Sequence, residues 1–293
     1  MKLRVGVAQM ECELGNLAKN LERMEEFVAQ AEADQIDLLV FPELALSGYS
    51  VRGRFHEMAV RLDSPEVVKL RELSRRVAMA VGLIEETREI EFYNSAVYFA
   101  DGKIRHVHRK IYLPTYGVFE EKRFFAQGRD MQAFDTRHGR MAMLVCGDCW
   151  HLPLPYTAVH DGADLLLFLV ASSREGLAES VDSAAGWHRL NQTYALTMGA
   201  FVIFSNRAGS EEGLNFYGAS QIILPNGEVA CQAAFDQPDL IAADLDMSQL
   251  RRQRIILPFR RDDHLETTLR LTREVMVRKS ERQRRFVSEF EEA

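Results

Sequence analysis

Apolar and polar positions recur with two periods along this chain, and together they predict a mixed α/β protein. Leu3, Val5 and Val7 share one face of a period-two pattern over 3–10, which predicts a strand. Asn16 then offers a helix cap ahead of Leu17, Leu21, Met24, Val28 and Ala31, spaced to form one apolar stripe. The continuous apolar run over 38–41 has the character of a strand buried on both faces, and Pro42-Glu43 ends it. Ser64-Pro65-Glu66 opens a second helix carrying Val67, Leu70, Leu73 and Val77, with proline at the first helical position, where its missing N–H costs nothing. Strands follow over 80–84, 93–100, 141–145, 165–170 and 201–205, with a helix over 184–198 between the last two. Asp101-Gly102 and Asn226-Gly227 each separate two strand-like runs and predict hairpins, so antiparallel pairs are mixed into the sheet. No repeat, linker or composition break interrupts the pattern. One domain is therefore expected over 1–293, ending in a charged helical tail from about 264. That tail, with Arg273, Glu274, Arg278, Lys279, Glu281 and Arg282, reads as a solvated helix face or as a surface that packs on a second subunit.

Composition narrows the function. The 293 residues are 47% hydrophobic, enough for a large core. A formal charge of -7 without a basic block argues against a nucleic-acid partner, because phosphate binding needs clustered Lys and Arg. No apolar run approaches the roughly 18 residues of a membrane span, and the start of the chain runs directly into a strand pattern rather than a signal peptide. A cytoplasmic location follows as the expectation. Cys12, Cys146, Cys149 and Cys231 are too few and too scattered for a secreted disulfide framework.

Polar residues at strand ends carry the candidate chemistry. Glu43 closes an apolar strand where α/β folds put their ligand crevices; burial there would suit a general base, although such a glutamate taken alone is more often a cap or an ion-pair partner. Cys146 follows Met143-Leu144-Val145 and precedes Gly147-Asp148. It is either a nucleophile on a strand-to-turn junction, beside backbone N–H groups, or a small buried hydrophobe. Lys110 closes a run over 104–110 and is either a cation that stabilises an oxyanion and lowers the pKa of a nearby thiol, or a solvated charge. Glu121, within Gly117-Val118-Phe119-Glu120-Glu121, is by itself weaker still.

Read together, the segments Phe41-Pro42-Glu43-Leu44-Ala45-Leu46-Ser47-Gly48-Tyr49, Arg109-Lys110-Ile111-Tyr112-Leu113-Pro114 and Val145-Cys146-Gly147-Asp148-Cys149-Trp150 resemble, in order and spacing, the signatures of the nitrilase-like carbon-nitrogen hydrolase superfamily. Phe216-Tyr217-Gly218-Ala219-Ser220, Leu224-Pro225-Asn226-Gly227 and 241–250 continue the resemblance over nearly the whole chain. It implies a four-layer αββα sandwich with mixed sheets, usually a homodimer or higher homo-oligomer. It also implies an amidohydrolase acting on a small-molecule amide, with no metal and no organic cofactor. Cys146 would be the nucleophile, Glu43 the general base and Lys110 the catalytic cation. Glu121 would be the second glutamate, since it stands seven positions before Gly128, with Glu120 as the alternative if the register shifts by one. The Gly147 N–H would help hold the oxyanion, and Trp150, Ser172 and Tyr116 are the pocket candidates. His151, Ser173, Trp187 and His188 are weaker ones, assigned to packing or pocket walls.

Two departures shape the expectation. Many amidases of the family carry arginine four residues after the nucleophile, where this chain has Trp150. Cys-x-Asp-x-Trp together with 112–121 is more similar to the glutaminase domains of glutamine-dependent NAD synthetases, yet no phosphate-binding loop is present and the chain ends before a synthetase domain would fit. The expected activity is thus a free-standing amidase. A nitrilase is the alternative within the class, and a redox or metal site built on the Cys146-x-x-Cys149 pair is the alternative outside it.

Overall fold

A computed structural model describes residues 2–175 and 182–291, with side chains through residue 283. The strands, in chain order, are β1 (Lys2–Gln9), β2 (Leu38–Val40), β3 (Ala78–Glu86), β4 (Phe92–Ala100), β5 (Lys103–Arg109), β6 (Phe134–Thr136), β7 (Gly139–Val145), β8 (Leu165–Val170), β9 (Phe201–Asn206), β10 (Ala208–Glu211), β11 (Leu214–Tyr217), β12 (Gln221–Ile223), β13 (Val229–Gln232) and β14 (Asp239–Asp246). They form one six-stranded sheet in the order β14-β1-β2-β3-β4-β5, a second in the order β13-β12-β9-β8-β7-β6, and a separate β10-β11 pair. Both large sheets are mixed. β1-β2-β3 run parallel and β3-β4-β5 antiparallel; β7-β8-β9 run parallel, flanked by antiparallel neighbours. Asp101-Gly102 turns β4 into β5, and Asn226-Gly227 lies between the antiparallel β12 and β13.

The period-two pattern explains the layering, because adjacent side chains of one strand leave opposite faces of the sheet. Leu3, Val5 and Val7 of β1, Leu38 and Val40 of β2, and Ala78 and Ala80 of β3 enter a core shared with Met141, Met143 and Val145 of β7 and all of β8. Their neighbours Ala8, Leu39, Phe41, Met79 and Val81 face the other way, onto Met24, Val28 and Ala31 of helix Leu17–Ala33 and Val67, Leu70 and Leu73 of helix Pro65–Leu73. Ala158 and Val159 of helix Pro153–His160, with Trp187, Tyr194 and Ala195 of helix Ser183–Met198, cover the second sheet. The result is a four-layer αββα sandwich with sheet against sheet at its centre. Complete burial of a Val or Leu side chain contributes roughly 1.5–3 kcal/mol.

Local signals set the helix ends. Asn16 caps helix Leu17–Ala33 by accepting the Lys19 N–H at 3.1 Å, a contact of a type that contributes about 1 kcal/mol. Pro65 starts its helix as the sequence implies, but that helix stops at Leu73, so Val77 is buried in the approach to β3 rather than on a helical stripe. Met1–Leu257 form one compact unit. Pro258–Ala293 form another, with helices Phe259–Asp262 and Leu265–Glu291. The long helix bears exposed Leu265, Leu269 and Met276 among its charges, so it is less uniformly polar than a purely solvated tail.

Candidate active site

Carboxyl ends of strands from both large sheets bring the polar residues together. Glu43 follows β2 on a loop crossing directly over Gly82 of β3; a Cβ at Gly82 would lie 2.5 Å from both the Pro42 carbonyl oxygen and the Leu44 nitrogen. Only glycine permits so close an approach of two backbones. Lys110 follows β5, its own N–H donating to the Asn94 carbonyl at 2.9 Å. Gly128 packs against that same turn, its N–H donating to the Lys110 carbonyl at 2.8 Å.

Both Glu43 and Lys110 are completely buried, and Lys110 Nζ lies 2.7 Å from Glu43 Oε1 and 2.8 Å from Glu121 Oε1. Asn94 Nδ2 also donates to Glu43 Oε1 at 2.8 Å, and the Ala171 N–H donates to Glu43 Oε2 at 2.9 Å. Tyr49 donates its hydroxyl to Glu121 Oε1 at 2.6 Å. Glu120 plays no such part: it is exposed and lies 3.8 Å from Arg123. Of the two adjacent acids it is therefore Glu121 that meets the lysine.

Two carboxylates around one ammonium leave one negative charge in excess, and burial makes that excess costly. The Glu121 carboxyl is pushed up to about 7, by burial first and by Glu43 next, against the pull of Lys110. For Lys110, burial works against the charge, but Glu121, Glu43 and Cys146 outweigh it and hold the ammonium well above the ordinary lysine range.

Cys146 takes an unusual backbone position, φ 42° and ψ -95°, at the junction of β7 with the short helix Gly147–Trp150. Positive φ at a residue with a Cβ is strained and is tolerated only where surroundings enforce it. Here the Cys146 N–H is fixed to the Leu169 carbonyl at 3.0 Å and its own carbonyl accepts from Cys149 N at 3.0 Å. Asp148 ties this junction to the lysine loop. Its Oδ1 accepts the Ile111 and Tyr112 N–H groups at 3.0 and 2.8 Å, and its Oδ2 pairs with His108 Nε2 at 2.9 Å. Lys110 lowers the Cys146 thiol as expected, but its effect is outweighed. Burial, then Glu43, push the Cys146 thiol well above its ordinary value, and the opposing effects of Lys110 and the Ala171 N–H are smaller. Cys146 therefore rests as a protonated thiol at neutral pH. Cys149 is fully buried and its thiol is also pushed up by burial.

The pocket candidates are more dispersed. Gly147 is buried with its Cα side against the Tyr112 carbonyl, where a Cβ would come within 2.8 Å. Ser172 is buried and tied up: its N–H donates to Asn206 Oδ1 and its hydroxyl pairs with that of Ser183, each at 2.8 Å. Trp150 is 40% exposed and packs edge-on against Trp187. Tyr116 is half exposed, its phenol raised by partial burial and by Cys146. His151 stacks on Tyr112, and His188 hydrogen-bonds Gln221 at 2.6 Å. Among the described residues, no cluster of three or more His, Cys, Asp or Glu side chains is arranged to hold a metal ion.

Residues 4–255 match the carbon-nitrogen hydrolase family model. The chain belongs to the carbon-nitrogen hydrolase family. A glutamine-dependent NAD(+) synthetase from Thermotoga maritima is 30% identical over 270 residues, covering 89% of this chain and 45% of that protein. The chain thus spans about half the length of the synthetases it matches. A citrullinase from Francisella tularensis is 26% identical over 271 residues, covering 89% of this chain and 94% of that protein. The crystal structure of a carbon-nitrogen hydrolase from Helicobacter pylori superposes with a TM-score of 0.84 at 25% identity, covering 92% of this chain and 98% of the other.

Sequence reasoning passed over Tyr49, Asn94, Ala171 and the His108–Asp148 pair. Asn94-Ser95, polar residues inside an apolar strand, was the signal that something buried needed a partner. Tyr49 already closes the Glu43 motif, but nothing in its spacing says that it meets Glu121.

Proposed function

We propose that this hydrolase cleaves a small-molecule amide through a cysteine thioester. Glu43 takes the thiol proton of Cys146 as sulfur attacks the amide carbonyl, and Lys110 with the Gly147 N–H holds the oxyanion. Collapse expels ammonia or an amine, which takes the proton from Glu43. Glu43 then removes a proton from water as it attacks the thioester, and the returning thiolate accepts that proton. Glu121 holds Lys110 in line, and no cofactor enters any step. The observation that carries this reading is the buried ammonium of Lys110 between Glu43 and Glu121, beside a strained and protonated Cys146 thiol. A base, a cation and a nucleophile so arranged serve acyl transfer and have no evident structural purpose, because buried ion pairs are weak stabilisers.

Ammonia release from amides, carbamoyl amines and nitriles tests the reading, alongside mass spectrometry of the acyl-enzyme. Hydrolysis of amides or carbamoyl amines with a thioester on Cys146 is the expected result. Turnover confined to nitriles, or undiminished in Cys146→Ala, would overturn it.

The same reading places the protein in the cytoplasm, consistent with free cysteines at 12, 146, 149 and 231. It also makes the enzyme a homodimer or higher homo-oligomer, supported by the family resemblance and by exposed Leu265, Leu269 and Met276 on the long helix. Light scattering at micromolar concentration tests this, and a monomer would refute it.

A further inference from the structure

Beside the lysine, a cavity of about 350 Å³ opens between the loops that follow β2, β5 and β8 and the turn joining β10 to β11. Its size suits a small molecule. Tyr49, Phe124 and Leu214 give it apolar walls, and Glu121 gives it an ionisable one. Glu121 is thus shared between the cavity and Lys110. Its Oε1 is taken by Lys110 and Tyr49, whereas its Oε2 is buried and finds no hydrogen-bond partner among the described residues. A buried carboxylate oxygen with no partner among the described residues is an acceptor left over, and it belongs to a residue that lines the cavity.

The rest of the wall is acidic. Among the described residues, Glu120, Glu121, Glu175 and Glu212 line the cavity against a single cationic side chain, Arg52. Lys110 serves Glu121, but among the described residues counter-charges for the other three acids are few or exposed. Arg52 meets Glu212 at 3.3 Å, but both are exposed and the contact is weak. Arg123 is 3.8 Å from Glu120. Glu175 is held chiefly by Asn215: its oxygens accept the backbone N–H and the side-chain amide of Asn215, both at 2.8 Å, while neighbouring Arg174, engaged with Asp236, adds a smaller attraction. Burial opposes the charge on Glu175, but the Asn215 donors, with smaller help from its own backbone N–H and from Arg174, outweigh it and hold this carboxyl below the ordinary range. Neutral donors therefore fix the Glu175 carboxylate in place without cancelling its charge.

We infer that the substrate is an amide or ureide of a small molecule whose far end carries an aliphatic cation, seated in the cavity of Glu120, Glu175 and Glu212. This rests on the amidase reading of Cys146 and adds the substrate's charge to it. Apolar walls take the carbon spacer, and the acids attract and hold the cation as the amide reaches Lys110. Net negative potential in a partly enclosed cleft raises the local concentration of cationic ligands and repels anionic ones.

Alkylation of Cys146 in the intact protein by three chloroacetamides of equal length tests this without knowledge of the natural substrate. Their far ends are an ammonium, a methyl and a carboxylate group, and labelling is read by peptide mass spectrometry. At low ionic strength the ammonium reagent should label Cys146 about tenfold or more faster than the methyl one, with the carboxylate reagent slowest. That ratio should fall to within about twofold in the combined Glu120→Gln, Glu175→Gln and Glu212→Gln variant. It should fall likewise in the parent near 1 M salt, where the screening length is about 3 Å, so the test survives if the variant misfolds. A fast Cys146 with no preference for the ammonium reagent would overturn this inference and leave the amidase reading standing. A preference that persists both in the variant and at high salt would also overturn it. Failure of Cys146 to outpace the other cysteines with every reagent would remove the amidase reading and this inference together.

Discussion

The ammonium of Lys110 lies 2.7 Å from the carboxylate of Glu43 with neither side chain exposed to solvent. The pair connects the turn after β5 to the loop after β2, elements that are not adjacent in the sheet. Glu121 completes the arrangement from a third segment. Because burial penalises an unpaired charge heavily, removing any member affects both charge and position in the other two.

Lys110→Gln keeps a hydrogen-bond donor and most of the length but removes the charge. If Lys110 stabilises an oxyanion, kcat should fall about a hundredfold to a thousandfold while KM changes little, since the interaction is stronger in the transition state than in the ground state. Leaving Glu43 and Glu121 without a buried cation should also lower stability by about 3–5 kcal/mol. Steady-state kinetics on folded protein checks the first effect and thermal unfolding the second. Turnover within a few-fold of the parent would remove Lys110 from the mechanism.

Cys146→Ala should abolish turnover with the fold retained, because its Cβ and backbone contacts survive. Cys149→Ala should keep substantial activity, at the cost of a small cavity beneath the short helix. Its thiol is fully buried, and its carbonyl accepts the Tyr194 hydroxyl at 2.6 Å through a bond that alanine preserves. Equal loss from both changes would favour the paired-cysteine chemistry instead.

How much of this was legible in the sequence depends on the range of the interaction. The strands β1, β2, β7, β8 and β9 follow from period two and from continuous apolar runs, because burial on one or both faces is written into successive residues. The end of helix Pro65–Leu73 was misplaced by Val77, which is apolar because it enters a buried strand rather than because it continues a helical face. Glu43, Lys110 and Cys146 were drawn together by family resemblance, since each alone has a bland reading. The surrounding contacts, Tyr49 to Glu121, Asn94 to Glu43 and Asp148 to His108 and Tyr112, span 72, 51 and 36–40 positions in sequence, and no local period encodes such pairings.

Glu121 should make the enzyme pH-dependent in a definite direction. Its carboxyl is pushed up to about 7 from 4.5, so the folded protein holds this proton where the unfolded chain has released it. The stabilising contribution is full below about pH 4.5 and is lost as pH rises through about 7, with a slope of up to about 1.4 kcal/mol per pH unit between them. Activity should move oppositely. Protonation removes a negative partner from Lys110, so kcat/KM should fall as pH drops through about 7. Glu121→Gln should erase that inflection and flatten the matching part of the stability profile. An unchanged inflection in the variant would assign the titration to another group.

Gly82→Ala tests whether the position of Glu43 is set by the close crossing of two backbones. The added Cβ would meet the Pro42 carbonyl oxygen and the Leu44 nitrogen at 2.5 Å and the Glu43 Cα at 2.8 Å. These are main-chain atoms, so no side-chain rotation relieves the clash and the loop itself must lift. Overpacking of this kind costs roughly 1–3 kcal/mol. The displacement should matter more to activity than to folding, because Glu43 is aligned by Asn94, Lys110 and the Ala171 N–H, all at 2.7–2.9 Å, and cannot follow the loop without stretching each contact. A shift near 1 Å in a catalytic group costs about a hundredfold in rate. Gly82→Ala should therefore lower kcat by about that factor while lowering Tm by only a few degrees. Gly53→Ala supplies the contrast: a Cβ there meets nothing within 4 Å, and the variant should match the parent in both measurements. If Gly82→Ala also matched the parent, the crossing would have slack to spare, and the placement of Glu43 would have to be credited to its hydrogen bonds alone.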